Sequence, residues 1–112
     1  MTTPEKKVKD KVKAILKSVG AYYFMPATHG FGSSGTPDIV ACLHGKFIGI
    51  ECKANGGKPT GLQEKNLMDI CEKGGIAILV DETGVDALKM FLGAVDDTHV
   101  GGMFIDYLKG KK

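Results

Sequence analysis

Val8, Val12, Ile15, Leu16 and Val19 recur at helical spacing, so residues 4–19 predict an amphipathic helix with one apolar stripe. Pro4 suits its first turn and Gly20 its C-terminal stop. Residues 21–27 carry Tyr22, Tyr23 and Phe24 and predict a strand. A glycine-serine loop follows, up to Pro37. Residues 38–43 and 46–53 predict two further strands, and His44-Gly45 between them is a tight turn, so the pair reads as a hairpin. After a loop over 54–59, residues 61–73 predict a second helix, ended by Gly74-Gly75. The near-continuous apolar run 76–80 predicts a buried strand. Residues 85–92 predict a helix, and 103–108 fit either a short strand or a helix. The resulting order is α-β-β-β-α-β-α with one undecided final element. It predicts an α/β fold with a central mixed β-sheet flanked by helices.

Length and composition narrow the setting without naming a function. The chain has 112 residues, which predicts one domain over 1–112 with a core of modest size. No apolar run approaches the roughly 20 residues of a membrane-spanning helix. The N-terminus is lysine-rich and lacks the apolar stretch of a signal peptide, so a cytoplasmic location is the default expectation. Cys42, Cys52 and Cys71 lack the paired spacing of a disulfide framework or a structural zinc site and read as small buried hydrophobes. His29, His44 and His99 show no metal-ligand spacing either.

Net charge is only +2, but the lysines are unevenly placed. Lys6, Lys7, Lys9, Lys11, Lys13 and Lys17 crowd the first helix, and Lys109, Lys111 and Lys112 close the chain. Lysines so grouped can contact phosphates without reading sequence, and they can equally form a solvated helix face. The chain contains no arginine. Bidentate guanidinium contacts to phosphate or guanine are therefore excluded.

The positions that carry chemistry are Asp38, Glu51 and Lys53. Alternate residues of a strand share a face, so Glu51 and Lys53 point one way while Ile48, Ile50 and Cys52 point the other. In the predicted hairpin the start of one strand lies beside the end of its partner, which brings Asp38 to Glu51 and Lys53. Two carboxylates offer hard oxygen ligands to Mg²⁺ or Mn²⁺, with the backbone carbonyl of Cys52 as a further donor. Lys53 can stabilise charge on an attacked phosphate or help activate a water. The competing reading is a surface ion pair between Glu51 and Lys53 that contributes little.

Two helical residues fit the same site. Glu5 falls in line with the apolar stripe of the first helix, where a carboxylate is unusual, although helix starts also favour acids through the dipole. Gln63 shares a face with Leu67, Ile70 and Cys71, and Thr60-x-x-Gln63 also matches a capping box. The loops add candidate contacts to DNA in Ser33, Ser34 and Lys58, joined by Lys6, Lys9 and Lys13 of the first helix. Gly30, Gly32 and Gly35 would let backbone approach a phosphodiester, or serve turn geometry alone.

Gly35-Thr36-Pro37-Asp38, Glu51-Cys52-Lys53 and downstream Gln63 together resemble the PD-(D/E)XK nuclease pattern. Within that superfamily the chain is most similar to the stand-alone VRR-NUC domains of bacteria and bacteriophages, over a stretch from Glu5 to about Asp86. The Val-Arg-Arg element behind the family name is absent. The resemblance implies a restriction-endonuclease-like core and Mg²⁺- or Mn²⁺-dependent phosphodiester hydrolysis. It implies catalytic roles for Asp38, Glu51, Lys53 and Gln63 and metal binding by Glu5, Asp38 and Glu51, to which the residues themselves add the Cys52 carbonyl. It further implies a homodimer acting on branched DNA such as Holliday junctions. Apolar residues near the C-terminus, Phe91, Leu92, Met103, Phe104, Ile105 and Leu108, are candidates for a dimer interface or for the core. Two other functions fit the same residues. One is a DNA-binding or dimerisation module with a vestigial nuclease site, and the other is a sequence-specific restriction-type nuclease.

Overall fold

The computed structural model describes residues 2–27, 35–99 and 101–109. Helix α1 spans Pro4–Ser18 and starts where Thr3 accepts a hydrogen bond from the Lys6 N–H, with Pro4 in the first turn. Strands β1 (Tyr22–Phe24), β2 (Ile39–Leu43) and β3 (Lys46–Cys52) follow, then α2 (Gly61–Glu72), β4 (Ile76–Val80), α3 (Val85–Ala94) and β5 (Met103–Tyr107). The five strands form one mixed sheet in the order β1-β2-β3-β4-β5. The first three are antiparallel neighbours, whereas β3, β4 and β5 run parallel. His44 and Gly45 both adopt positive φ, 51° and 78°, as a two-residue hairpin turn requires.

The sheet has helices on both faces. Val8, Val12 and Leu16 of α1 and Leu88 and Leu92 of α3 bury against one face, which carries Ile48, Ile50 and Cys52 of β3. Leu67 of α2 covers the other face at Ala77, Leu79 and Leu108. The period-two alternation expected for β3 therefore holds. Glu51 lies on the α2 side and is 1% exposed, and Cys52 lies in the α1 core.

Two glycines let α2 sit close to the strand that carries Glu51. A Cβ on Gly49 would come 2.5 Å from Ile70 Cδ1 and 3.2 Å from Pro37 Cγ. Gly35 has φ +97°, and a Cβ there would lie 2.8 Å from both Leu62 Cγ and the Leu62 carbonyl oxygen. Gly35 thus seats the segment leading to Asp38 on the first turns of α2. Substitution meets two obstacles at once, backbone handedness and lack of space.

Several expectations change. The first strand is confined to Tyr22–Phe24, with Pro26 unable to donate a ladder bond beyond it. Residues 103–107 form β5, all five half-buried. A strand that is half-buried at every position lacks the alternation that marks a strand in sequence. Cys42 is exposed and Cys71 only partly buried. Cys42 sits on the α2 side of β2, paired across the sheet with Tyr22 and Phe47. That corner is not covered by α2, and Tyr22 and Phe47 are 72% and 50% exposed. Among the interface candidates, Leu92 and Leu108 are core residues, while Phe91, Met103, Phe104 and Ile105 pack against the core. No helix among the described residues is long and apolar enough to cross a membrane.

Gly35→Ala should lower stability by roughly 2–4 kcal/mol, the sum of a handedness and an overpacking cost. Gly20 has φ +81° with nothing near the position a Cβ would take, so Gly20→Ala should cost only about 1–2 kcal/mol. Urea denaturation of both variants reads the difference, and equal losses would remove the packing role of Gly35.

Candidate active site

The hairpin register sets the site. Ile39 pairs with Ile50 across β2 and β3, so Asp38, one residue earlier, meets the end of β3. Its Oδ2 accepts a hydrogen bond from the Cys52 N–H at 2.9 Å. An Asp side chain here takes the place that a further ladder partner from β2 would fill. The N–H and C=O of one strand residue leave on the same side of the strand. The Cys52 carbonyl therefore also leaves β3 on the side of Asp38. Lys53 N–H turns the other way and donates to the Val80 carbonyl at 2.9 Å.

Gln63 forms the expected capping box and also touches Glu51. Its backbone N–H donates to Thr60 Oγ1 at 3.1 Å, and its Oε1 accepts from the Thr60 N–H at 2.9 Å, completing the capping box. With Oε1 so engaged, the amide nitrogen must face the other way, and Nε2 donates to Glu51 Oε2 at 2.9 Å. Lys53 Nζ lies 3.7 Å from the same oxygen. One oxygen of Glu51 is thus held by an amide and an ammonium. The other, Oε1, is buried and accepts from no donor among the described residues, and the Asp38 carboxyl lies within hydrogen-bonding reach of the Glu51 carboxyl.

The electrostatics follow from this arrangement. Burial pushes the Glu51 carboxyl up to about 8, the negative charge of Asp38 adds to the rise, and a hydrogen bond shared with the Asp38 carboxyl further favours the protonated form. Lys53 opposes the shift, and Glu5 adds a smaller upward push. The Cys52 thiol is raised by burial and then by the charges of Asp38 and Glu51. It is a core group with no thiolate chemistry.

Glu5 differs from expectation. Its side chain is 42% exposed, and its Oε2 lies 4.0 Å from Lys9 Nζ, one helical turn on. The buried residues of α1 begin at Val8, so the first turn stands clear of the core and leaves Glu5 at the rim. Lys9 Nζ also lies 3.5 Å from Asp38 Oδ1, which makes Lys9 the link between Glu5 and the site. Lys6 and Lys13 both pair with Asp10, at 3.1 and 3.4 Å. Lys58 is exposed in the loop before α2. Ser33 and Ser34, with Gly30 and Gly32, lie outside the described residues.

Two sets of contacts lie beyond what the sequence pattern states. Lys9, a candidate DNA contact, stands four residues after Glu5, which puts both on one helix face. Asp81, at the end of β4, is fully buried. Its Oδ1 accepts from Thr83 N–H and Oγ1 at 2.9 and 2.6 Å, and its Oδ2 accepts from the Lys109 N–H at 2.9 Å. Burial alone would raise this carboxyl, but the bonds from Thr83 and Lys109 outweigh it and hold it below the ordinary range. Asp81 is a tether between the ends of β4 and β5, and Asp-x-Thr after a strand is the turn signature that marks it.

Among the described residues no three His, Cys, Asp or Glu side chains converge as a ready metal cluster. The donors nevertheless fit a small divalent cation. Glu51 Oε1 is a buried oxygen that accepts from no donor among the described residues, and the Asp38 carboxyl is close to that of Glu51. Mg²⁺ is commonly held by one or two carboxylates and keeps several waters. No family model matches the chain, and neither a curated protein nor a solved structure is found to match it.

Because the folded-state carboxyl of Glu51 titrates near 8 instead of 4.5, the unfolded chain ionises first as pH rises. The folded protein should therefore lose stability between about pH 4.5 and 8 and level off above that. Glu51→Gln should flatten this decline. Thermal melts of both proteins across that range, without divalent ions, test it; parallel curves would mean that Glu51 ionises normally.

Proposed function

We propose that this protein is a Mg²⁺- or Mn²⁺-dependent endodeoxyribonuclease that hydrolyses phosphodiester bonds in branched DNA such as Holliday junctions. The observation that carries the reading is Glu51, a buried acid with one oxygen fixed by Gln63 and Lys53, the other accepting from no donor among the described residues, and a second acid, Asp38, beside it. A residue kept only for stability would not hold an unsatisfied buried oxygen beside a second acid. The order α1-β1-β2-β3-α2-β4 around a mixed sheet is also the order expected of a restriction-endonuclease-like core.

Asp38, Glu51 and the Cys52 carbonyl would hold the ion. When bound, it supplies a polarised phosphate oxygen and a water acidified toward hydroxide. Gln63 keeps the Glu51 carboxylate in one orientation, so the site needs little rearrangement to receive charge. Lys53 brings a positive charge to the rim, where it meets the negative charge that builds on the phosphate under attack by water. The capped start of α2 lies beside Glu51, and its first amides add a favourable dipole toward a phosphate. Lys58 sits in the loop that leads into that helix start.

The homodimer belongs to the same proposal, since two copies would bring two such sites to two strands of a junction. Tyr22, Phe24 and Phe47, left uncovered on the sheet, are the apolar surface such a pair would bury, in place of the C-terminal residues that serve the core.

End-labelled four-way junction, flap and plain duplex, incubated with Mg²⁺, Mn²⁺ or EDTA, test the activity. The junction should be cut only with metal, and Asp38→Ala and Lys53→Ala should each slow cutting at least about a hundredfold. Binding without cutting of any substrate would identify a DNA-binding module instead. Discrete fragments from plain duplex would identify a restriction-type enzyme. Sedimentation velocity should show a dimer that Tyr22→Glu combined with Phe47→Glu converts to monomer.

A further inference from the structure

Asp38 offers its two oxygens to different partners. Oδ2 is held by the Cys52 N–H at 2.9 Å, so Oδ1 is the oxygen left for a cation. That oxygen faces Lys9 Nζ at 3.5 Å. The same ammonium lies 4.0 Å from Glu5 Oε2, and so stands between two carboxylates. Its neighbours on α1 behave differently, since Lys6 and Lys13 close on Asp10.

We propose that Lys9 is a tethered placeholder cation, its ammonium neutralising Asp38 while no metal ion is bound and leaving when a divalent cation takes its place. The proposal rests on the reading of Asp38 and Glu51 as cation ligands. A divalent ion and an ammonium on one carboxylate would bring like charges within about 4 Å of each other, where repulsion is strong in a partly desolvated site. One of them must move, and Lys9 can. Its side chain is 34% exposed on a flexible four-carbon stem, while Val8 and Val12 keep the helix itself anchored.

Charge accounting agrees. With Glu51 ionised, the acids Glu5, Asp38 and Glu51 face the cations Lys9 and Lys53. A divalent ion added with Lys9 in place would leave the cluster positive, whereas the same ion with Lys9 withdrawn leaves it balanced. Departure of Lys9 also frees Glu5 from its present partner. The half-exposed position of Glu5 then belongs to the cation-free arrangement.

Calorimetric titration with Mn²⁺ alone, without DNA, reads the exchange directly. Lys9→Met should bind Mn²⁺ roughly threefold to tenfold more tightly than wild type, because the competing ammonium is gone. Lys13→Met removes the same charge one turn away and should change affinity less than about twofold. Adding Asp38→Ala to Lys9→Met should abolish the gain. In the wild-type protein, saturating Mg²⁺ should shift the NMR signal of the Lys9 ε-methylene and leave that of Lys13 in place. Equal or weaker Mn²⁺ binding by Lys9→Met, or an equal gain from Lys13→Met, overturns the placeholder role and leaves the cation site standing. Absence of Mn²⁺ binding by both wild type and Lys9→Met overturns the placeholder and the cation site together.

Discussion

The constraint on which the site depends is the burial of one carboxylate. Glu51 is 1% exposed on the α2 side of the central strand. An ionised acid there loses its hydration, and only Gln63 and Lys53 replace it, both on one oxygen. The fold therefore favours the protonated acid. Much of the surrounding geometry can be traced to fitting this group. Gly49 lets α2 lie close over β3, Gly35 seats the loop before Asp38 on α2, and the capping box turns Gln63 Nε2 toward the carboxylate.

How far the sequence disclosed this arrangement depends on how local each signal is. Strand alternation needs only neighbouring residues, so the split between Glu51 and Cys52 was legible. The hairpin turn at His44-Gly45 was legible for the same reason, and with it the approach of Asp38 to the end of β3. Thr60-x-x-Gln63 announced the cap, and the cap then fixed the amide orientation that no sequence pattern states. What the sequence could not disclose was coverage. Cys42 reads like a buried cysteine in an apolar strand, but whether a helix lies over it depends on where α2 crosses the sheet. β5 is half-buried throughout and so lacks a periodic signature. Glu5 followed the apolar stripe in phase but not in depth, because α1 begins to bury side chains only at Val8.

The two buried acids show why burial alone does not mark a site. Asp81 is as little exposed as Glu51, though less deep in the protein, and its carboxylate accepts from Thr83 and Lys109 on both oxygens. Those bonds replace hydration and leave a stable anion that ties β4 to β5. Glu51 has one oxygen supplied and one not. The first acid is explained by the structure it holds, and the second is not explained by any structural bond it makes.

That difference bears on how the protein balances stability against reactivity. The remedies for an unsatisfied carboxylate are familiar: a second donor, an apolar replacement, or exposure to water. Cys52 N–H is one such donor, but Asp38 takes it. The Lys9 ammonium, on the α1 side of the sheet, lies on Asp38 and Glu5. Among the described residues the nearby donors are thus directed to the neighbouring acid or to Oε2, and Oε1 accepts from none of them, while the Asp38 carboxyl stands close enough to share a proton with Glu51. On the reading proposed above, Asp38 and Glu51 would hold a hard cation that supplies the missing partner of Oε1, compensates their charge and lets Lys9 withdraw. The instability at Glu51 and the occupation of Asp38 by Lys9 would then be two sides of one preference, for an ion from solution.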